Sequence, residues 1–517
     1  MRRRVLVLIL AALAGSLPAA ERINHAGRIL GPLPVVTTSI LFNTASADAI
    51  VAAMQIMPVE SAWNEDVSRL PLLSNSDAMI TQITNDLLST RRTLRAFYEM
   101  NYVLVPDNQP RASIYFFNYP DESDLDGGVF PNGLYPIPAN LPIETWPVGT
   151  GTLTLAQWQQ NVTDDSGDRH SITVMPGQGF IWETWLTQLY PTGWQASNGA
   201  KFNLNSNALR PAGWTSGDAA GLAMFPALVR YDECQRGMVE HAVRLVVKHS
   251  RLGPIYPATH DASVPATSDP NTPAMGQRLR LKSGFVIPSS WTIQEQAVLL
   301  AMKKYGGLVA DNGNFFSFSV CPDDRFPAGC FDHLSTIAIS NFEVVQSTGA
   351  TGGPRSPGAP SANAGPDQIV MLGMSVALPG TVSATLGNPT ILWRTYSGPA
   401  NAAIASANVA ASAATFGVPG TYTMMLSADD GTHAVAYAAA VIQVRLPLAV
   451  QPSGPDILLK FPSASGLRYR VESAGDVASG AWSILADNLS GTGALLTISH
   501  PNAAALPQQF YRVSVLP

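Results

Sequence analysis

The chain has 517 residues, enough for about three domains at roughly 150 residues each. Hydrophobic residues make up 46% and charged residues only 13%, so sizeable cores can form and global disorder is excluded. A formal net charge of −6 supplies no basic face for nucleic acid.

Met1-Arg2-Arg3-Arg4, the apolar run Val5 to Gly15 and the small residues Leu17-Pro18-Ala19-Ala20 read as a signal peptide over 1–20. The run is shorter than the roughly 20 apolar residues that span a bilayer. No transmembrane segment is therefore expected after cleavage, and the mature protein is expected to be secreted or held at the cell surface. Helical patterning is sparse. Asp48 to Met57 is a short candidate. Asp77 to Tyr98 is a longer one, broken near Thr90. Thr292 to Tyr305 has a capping box, Thr292 with Glu295, and Gly306-Gly307 as a stop.

Between the helices lie strand patterns at Ser113–Phe117, Ser171–Val174, Val239–Val247 and Gln277–Lys282. Val239–Val247 alternates, setting Glu240, Ala242 and Arg244 opposite His241, Val243 and Leu245. The chain is expected to be mainly β, with residues 21–346 a large β-sandwich carrying helical insertions. A mixed α+β domain is the alternative. Cys321 and Cys330 bracket a turn-rich loop and are expected to pair in an oxidising compartment, leaving Cys234 over.

Ser347 to Ala362 holds four Gly, three Pro and three Ser in sixteen residues, so 347–362 reads as a linker. Beyond it the patterning is purely β. Asn363-Ala-Gly-Pro-Asp, Trp393 with Ser397-Gly-Pro, Phe416 with Pro419-Gly-Thr-Tyr422, and Asp429-Asp-Gly make 363–445 resemble a PKD-type immunoglobulin-like module. The resemblance implies a spacer or weak ligand-binding module on exported bacterial proteins, without catalysis. Residues 448–517, ending in Phe510-Tyr-Arg-Val, are similar to small C-terminal β modules of exported multi-domain proteins. In Trp63-Asn64, Gly167-Asp-Arg-His170, Leu209 to Ser216 and Ala310-Asp-Asn-Gly313, the first 346 residues resemble an uncharacterised family of exported bacterial proteins. That resemblance supplies no chemistry.

There is no G-x-x-x-x-G-K-[ST], H-E-x-x-H or G-x-S-x-G, which disfavours the corresponding nucleotide, zinc and serine-hydrolase chemistries. Asp168-Arg169-His170 is the sharpest local cluster: on a strand, Asp168 and His170 would share a face and Arg169 would oppose them. An ordinary turn-to-strand junction explains the same residues. Trp182, Trp185, Trp194 and Trp214 crowd around Glu183 in sequence. Indole faces stack on sugars, and burial beside them would raise a Glu pKa, as a general acid needs. Equally, these Trp would serve as sandwich core. Asp218 and Asp311 are the favoured partner carboxylates for glycosidic cleavage. Asp232, Glu233 and Glu240 are weaker ones, with Asp232-Glu233 expected to be solvated.

Glu122, Asp124 and Asp126, followed by Gly127, match the start of an oxygen-ligand loop that would suit calcium, although position 12 would be Gly133. Arg210, Arg278, Arg280 and Lys282 could clamp a carboxylated sugar or form polar strand faces. The expected function is that of an exported modular carbohydrate-active protein that binds a polysaccharide or cell-surface glycan and hydrolyses it with a carboxylate pair, Glu183 as acid. A lyase using His170 and Arg169 is the enzymatic alternative. A non-catalytic surface or adhesion protein is the alternative of another class.

Overall fold

The computed structural model describes residues 22–162, 167–262, 267–346 and 358–516; the expected signal peptide, 1–20, and residues 347–357 of the expected linker lie outside them. The described chain divides into two compact units, one built on 22–346 and one on 358–516. Both are mainly β, as the sequence patterning predicts. Among the described residues, no helix is long and apolar enough to cross a membrane.

The first unit carries three mixed sheets among its described residues. The six-stranded sheet runs Phe342–Val344, Arg278–Leu281, Gly307–Asn312, Val243–Val247, Phe316–Val320, Leu94–Tyr98. The five-stranded sheet runs Ile40–Leu41, Val103–Leu104, Ser171–Met175, Phe180–Trp185, Asn198–Asn203. The four-stranded sheet runs Asn132–Tyr135, Ala112–Phe116, Gly193–Ala196, Gln188–Tyr190. The five-stranded sheet separates two cores. Ile172, Val174 and Ile181 face the main one, while Val103, Trp182 and Phe180 face a smaller core shared with the four-stranded sheet. The period of two along each strand produces this division.

Three sequence expectations change here. The stretch Asp77–Tyr98 is a helix only over Ser76–Asp86; Leu94–Tyr98 is an edge strand parallel to Phe316–Val320. Within Val239–Val247 only Val243–Val247 is strand, and both its faces are buried, because neighbours flank it on either side within the sheet and other elements cover it. Asp232 and Glu233 are not solvated: they lie in the short helix Tyr231–Gln235, buried against Arg236 and Arg230. The helix Ile293–Lys304 forms as expected, with Thr292 and Glu295 satisfying each other's end groups, an arrangement that contributes about 1 kcal/mol.

One irregularity matters below. Gly307–Asn312 pairs in parallel with Val243–Val247, and the register jumps from Leu245↔Val309 to Val246↔Asp311. Ala310 is the extra residue of a β-bulge. A flush register would set Asp311 opposite Val247; the bulge moves it to the Arg244–Val246 face. The freed Ala310 carbonyl accepts the Ala220 N–H at 3.0 Å, which tethers the segment carrying Asp218.

In the second unit, residues 361–445 form an immunoglobulin-like sandwich. A four-stranded sheet (Gln368–Met371, Ala436–Arg445, Gly420–Asp429, Thr390–Ser397) faces a three-stranded one (Val376–Pro379, Ala411–Thr415, Ala403–Ile404) across a core of Trp393, Tyr422, Leu426 and Ile442. The Trp393 indole donates to the Ala410 carbonyl at 2.8 Å, and the Tyr422 hydroxyl to the Val418 carbonyl at 2.7 Å. The latter is the corner contact typical of such sandwiches. Ser361–Asn363, at the end of the expected linker, is already a strand, paired with Thr381–Ser383. Residues 449–516 make two three-stranded sheets around Leu459, Phe461, Tyr469 and Val471.

All three cysteines are free and buried, which corrects the expected Cys321–Cys330 bridge. Cys321 is buried just past the end of the Phe316–Val320 strand, and Cys330 instead contacts the Tyr98 hydroxyl at 3.6 Å.

Candidate functional site

Alternation along two strands builds one polar face of the six-stranded sheet. Val243–Val247 contributes Arg244, and Phe316–Val320 contributes Ser317 and Ser319. The edge strand adds Phe97, with Glu99 two residues on. The bulge brings Asp311. This face is one wall of a cavity of about 170 Å³. Across it stand Glu144 and the Asp168–His170 segment that leads into Ser171–Met175.

Arg244 is the hub. Its Nε and Nη2 donate to the two Asp218 oxygens, each at 3.0 Å, and Nη2 also donates to Asp311 at 2.7 Å. Nη1 donates to Ser319 Oγ at 3.4 Å and lies 3.9 Å from Glu99 Oε2. Burial works against the charge of Arg244, but Asp218, Asp311 and Glu99 outweigh it and hold its pKa well above the ordinary value. Glu99 accepts from Ser319 Oγ at 2.5 Å. Its pKa is pushed up to about 7: burial raises it, Arg244 opposes, and Glu144 adds to the rise. Asp218 is also raised by burial, against Arg244 and with Asp311.

His170 Nδ1 lies 3.0 Å from Glu144 Oε2, and the same oxygen accepts the His170 backbone N–H at 3.1 Å. Burial lowers the imidazole's proton affinity, but the charge and hydrogen bond of Glu144 win, and its pKa rises to about 9. Glu144 is correspondingly lowered, its burial outweighed by His170. The pair is therefore an imidazolium–carboxylate pair near neutral pH.

Asp168 and His170 both line the cavity, and Arg169 points away, as their spacing predicts. The device is not a regular strand. Arg169 has a left-handed backbone, φ 49°, which costs about 1–2 kcal/mol for a residue with a Cβ. Its buried guanidinium offsets this by donating to the Thr187 and Trp158 carbonyls, both at 3.0 Å, and by lying 4.7 Å over the Trp158 ring. Arg169 thus positions its two neighbours and offers nothing to a ligand.

The structure separates the other sequence candidates from the cavity. Glu183 is 0% exposed. It accepts the backbone N–H groups of Met224 and Phe225 at 2.8–2.9 Å. Burial raises its pKa to about 7, against those two hydrogen bonds, so the expected shift is present without access to substrate. Asp218, 1% exposed, lies under Arg244. Trp182 faces the smaller core at 2% exposure, on the opposite side of its strand from Glu183, and its indole donates to Asp126 at 2.8 Å. Trp194 packs on that core too. Trp214 lies beside Arg210, 5.5 Å from the guanidinium. Only Trp185 is half-buried beside another aromatic, Tyr119, with ring centres 6.2 Å apart.

The acidic loop does not converge as a calcium site. Asp126 is held by Lys201 at 2.7 Å and by Arg111. Asp124 is held by Arg210 at 2.5 Å, and Glu122 accepts the Thr215 N–H at 2.9 Å. Among the described residues, no group of three or more His, Cys, Asp or Glu side chains is arranged to hold a metal ion. Arg210 is occupied by this loop, and Arg280 by Glu343 at 2.6 Å. Arg278 donates to the Tyr305 carbonyl at 2.7 Å. These are internal contacts, not a clamp.

Sequence reasoning missed Glu99, Glu144 and the hub role of Arg244. The alternating Phe-Ser-Phe-Ser-Val at 316–320 was a signal for one wall; Glu144 sits in a loop with none.

No protein-family model matches the chain, and no curated protein matches it. The resemblance of the first 346 residues to an exported family therefore has no counterpart there. Among solved structures, the chain is similar to the PKD domain from the KIAA 1837 protein, a solution structure. The match has 27% identity over 16% of this chain and 84% of that one, with a TM-score of 0.15.

Proposed function

We propose that this is an exported, modular carbohydrate-active protein whose first unit hydrolyses a glycosidic bond in the cavity above Arg244. The observation that carries the proposal is a pair of unlike carboxylates sharing one guanidinium: Glu99, pushed to about 7, and Asp311, ion-paired at 2.7 Å. Carboxyl groups whose environments differ in this way divide into acid and base or nucleophile.

In this reading Glu99 gives its proton to the departing glycosidic oxygen. Asp311, ion-paired with Arg244, attacks the anomeric carbon or takes a proton from the attacking water. The reach of one guanidinium limits the separation of the two carboxylates to about 9 Å or less, a span within which both stereochemical courses fall. Glu183 and Asp218, the acid and partner expected from sequence, are buried and do not line the cavity. His170 is charged near neutral pH, so it is not the free base a lyase requires. Its charge favours the Glu99 carboxylate that remains once the proton has gone to the leaving oxygen, and Glu144 holds its orientation. Export rests on the Arg-rich, apolar N-terminus.

The test is a polysaccharide panel with the full chain, reading reducing-end release. Glu99→Gln should keep binding and lower turnover by about 10²-fold or more, because an amide cannot protonate a leaving group. Undiminished turnover in that variant would overturn the assignment. Binding without product by the parent would leave the adhesion reading.

A further inference from the structure

Three unlike groups line the cavity beside Arg244 without a part in the chemistry above: Asp168, Asn314 and the Phe97–Phe315 pair. Asp168 is exposed, and its carboxylate makes no hydrogen bond or ion pair among the described residues. Its backbone is fixed: the carbonyl accepts the Leu186 N–H at 2.9 Å, and the left-handed Arg169 follows it. The other charged groups that line the cavity are engaged. Arg244 serves Asp311 and Asp218 with Glu99 beside it, and His170 serves Glu144.

Asn314 stands on the sheet side, just before the Phe316–Val320 strand, and is exposed. Lys248 Nζ donates to its Oδ1 at 2.6 Å. An ammonium can only donate, so the amide oxygen faces Lys248 and the Nδ2 donors are left for another partner. Arg91 lies 4.4 Å over the Phe315 ring and donates to the Asn314 carbonyl at 3.4 Å, which orders the same rim. Phe97 and Phe315 meet edge to face with ring centres 5.2 Å apart, both half-buried.

We propose that Asp168, Asn314 and the Phe97–Phe315 pair form the subsite that holds one neutral sugar ring of the substrate by its hydroxyls. That the occupant is a glycan rests on the catalytic reading above. Asp168 can only accept, and its two oxygens suit two neighbouring hydroxyls; Asn314 donates to a third; the phenyl rings take the C–H face of the sugar. Charge selects the class. A uronic acid would bring an anion to Asp168, with Arg244 and His170 already engaged. An amino sugar would bring a cation to the rim that carries Lys248 and Arg91. A neutral ring meets neither cost. At about 170 Å³ the cavity falls below the roughly 300 Å³ where pockets for drug-sized ligands begin, so it takes one ring.

The experiment is calorimetry and reducing-end release with the full chain, using β-glucan, xylan and mannan oligosaccharides, galacturonate oligomers and glucosamine oligomers. The parent should bind at least one neutral oligosaccharide more tightly than either charged one. Asp168→Ala should lose at least about tenfold in affinity for it, the yield of a hydrogen bond to a charged group, with KM rising more than kcat falls and Tm unchanged. Asp168→Asn, which keeps the shape and one acceptor oxygen, should recover part of the loss. Asn314→Ala should weaken binding by a smaller factor. Full affinity in Asp168→Ala, preference for a charged oligomer, or no binding of any neutral one would overturn the subsite. So would a lowered Tm in both Asp168 variants, because the carboxylate would then serve the fold. If Glu99→Gln still turns over while Asp168→Ala loses binding, the catalytic reading falls and the subsite stands. If Glu99→Gln is inactive and Asp168→Ala binds and turns over as the parent does, the subsite falls and the reading stands.

Discussion

Replacing Arg244 by Met keeps the side chain long and removes the cation that faces Asp218, Asp311 and Glu99. Asp218 is 1% exposed, and both its oxygens lie 3.0 Å from the guanidinium. Breaking a buried pair from one side costs about 3–5 kcal/mol, because the remaining charge stays buried without its partner. A domain of roughly 300 residues unfolds with an entropy near 0.6–0.7 kcal/mol/K, so the loss lowers its Tm by about 4–8 °C. The deficit also has a direction in pH. Burial already raises Asp218 against the pull of Arg244, and without Arg244 it rises further. At low pH the folded carboxyl is protonated with or without Arg244, and the deficit is small. As pH rises, the unfolded chain and the folded parent ionise Asp218 while the folded variant does not. The deficit then opens by up to about 1.4 kcal/mol per unit. Eight of the ten Trp lie before the linker, so intrinsic fluorescence melts at about pH 5 and pH 8 report on this unit. Asp218→Leu with Arg244→Met should recover part of the loss. A Tm change below about 1 °C at the higher pH, or a deficit that widens as pH falls, would refute the reasoning.

The remaining expectations can be checked separately. The rate on a cleaved glycan should fall as pH rises through about 7, where Glu99 loses its proton; a basic limb that persists in Glu99→Gln would contradict the acid assignment. Glu183 is raised in the folded state, so its contribution is full below an unfolded value near 4.5 and is lost as pH climbs through about 7. Over that window the parent should lose roughly 3 kcal/mol that Glu183→Gln does not lose, read by denaturant titration at several pH values. Thiol counting under denaturing, non-reducing conditions should find three free thiols. Tyr422→Phe removes the hydroxyl contact to Val418 and should destabilise the immunoglobulin-like sandwich by about 1 kcal/mol, seen in calorimetry of the full chain.

What the sequence disclosed follows from the range of the interactions involved. The Thr292–Glu295 capping box lies within four residues and was legible. The division of Asp168, Arg169 and His170 between two sides has the sense that strand alternation would give, but a left-handed Arg169 backbone and not a strand produces it. Leu94–Tyr98 was hidden because its partner, Phe316–Val320, is over 200 positions away. Alternation set Arg244 only opposite Val243 and Leu245, and it is tertiary burial that makes it a hub. Glu183 was right in its pKa and wrong in its access: burial produces both, and the sequence could not say that the main core, and not a cleft, does the burying.

The bulge at Ala310 makes the site sensitive to chain length, not only to side-chain identity. Deleting that one codon would leave every carboxylate, Arg and Ser of the cavity encoded. Asp311 would then follow Val309 directly and stay opposite Val246, but the carbonyl that tethers Ala220, and with it the segment carrying Asp218, would be gone. Such a deletant would match its parent at every site position and would lack the backbone anchor beneath Arg244. The spare residue therefore serves the site through its carbonyl, a role that no side-chain substitution at position 310 would reveal.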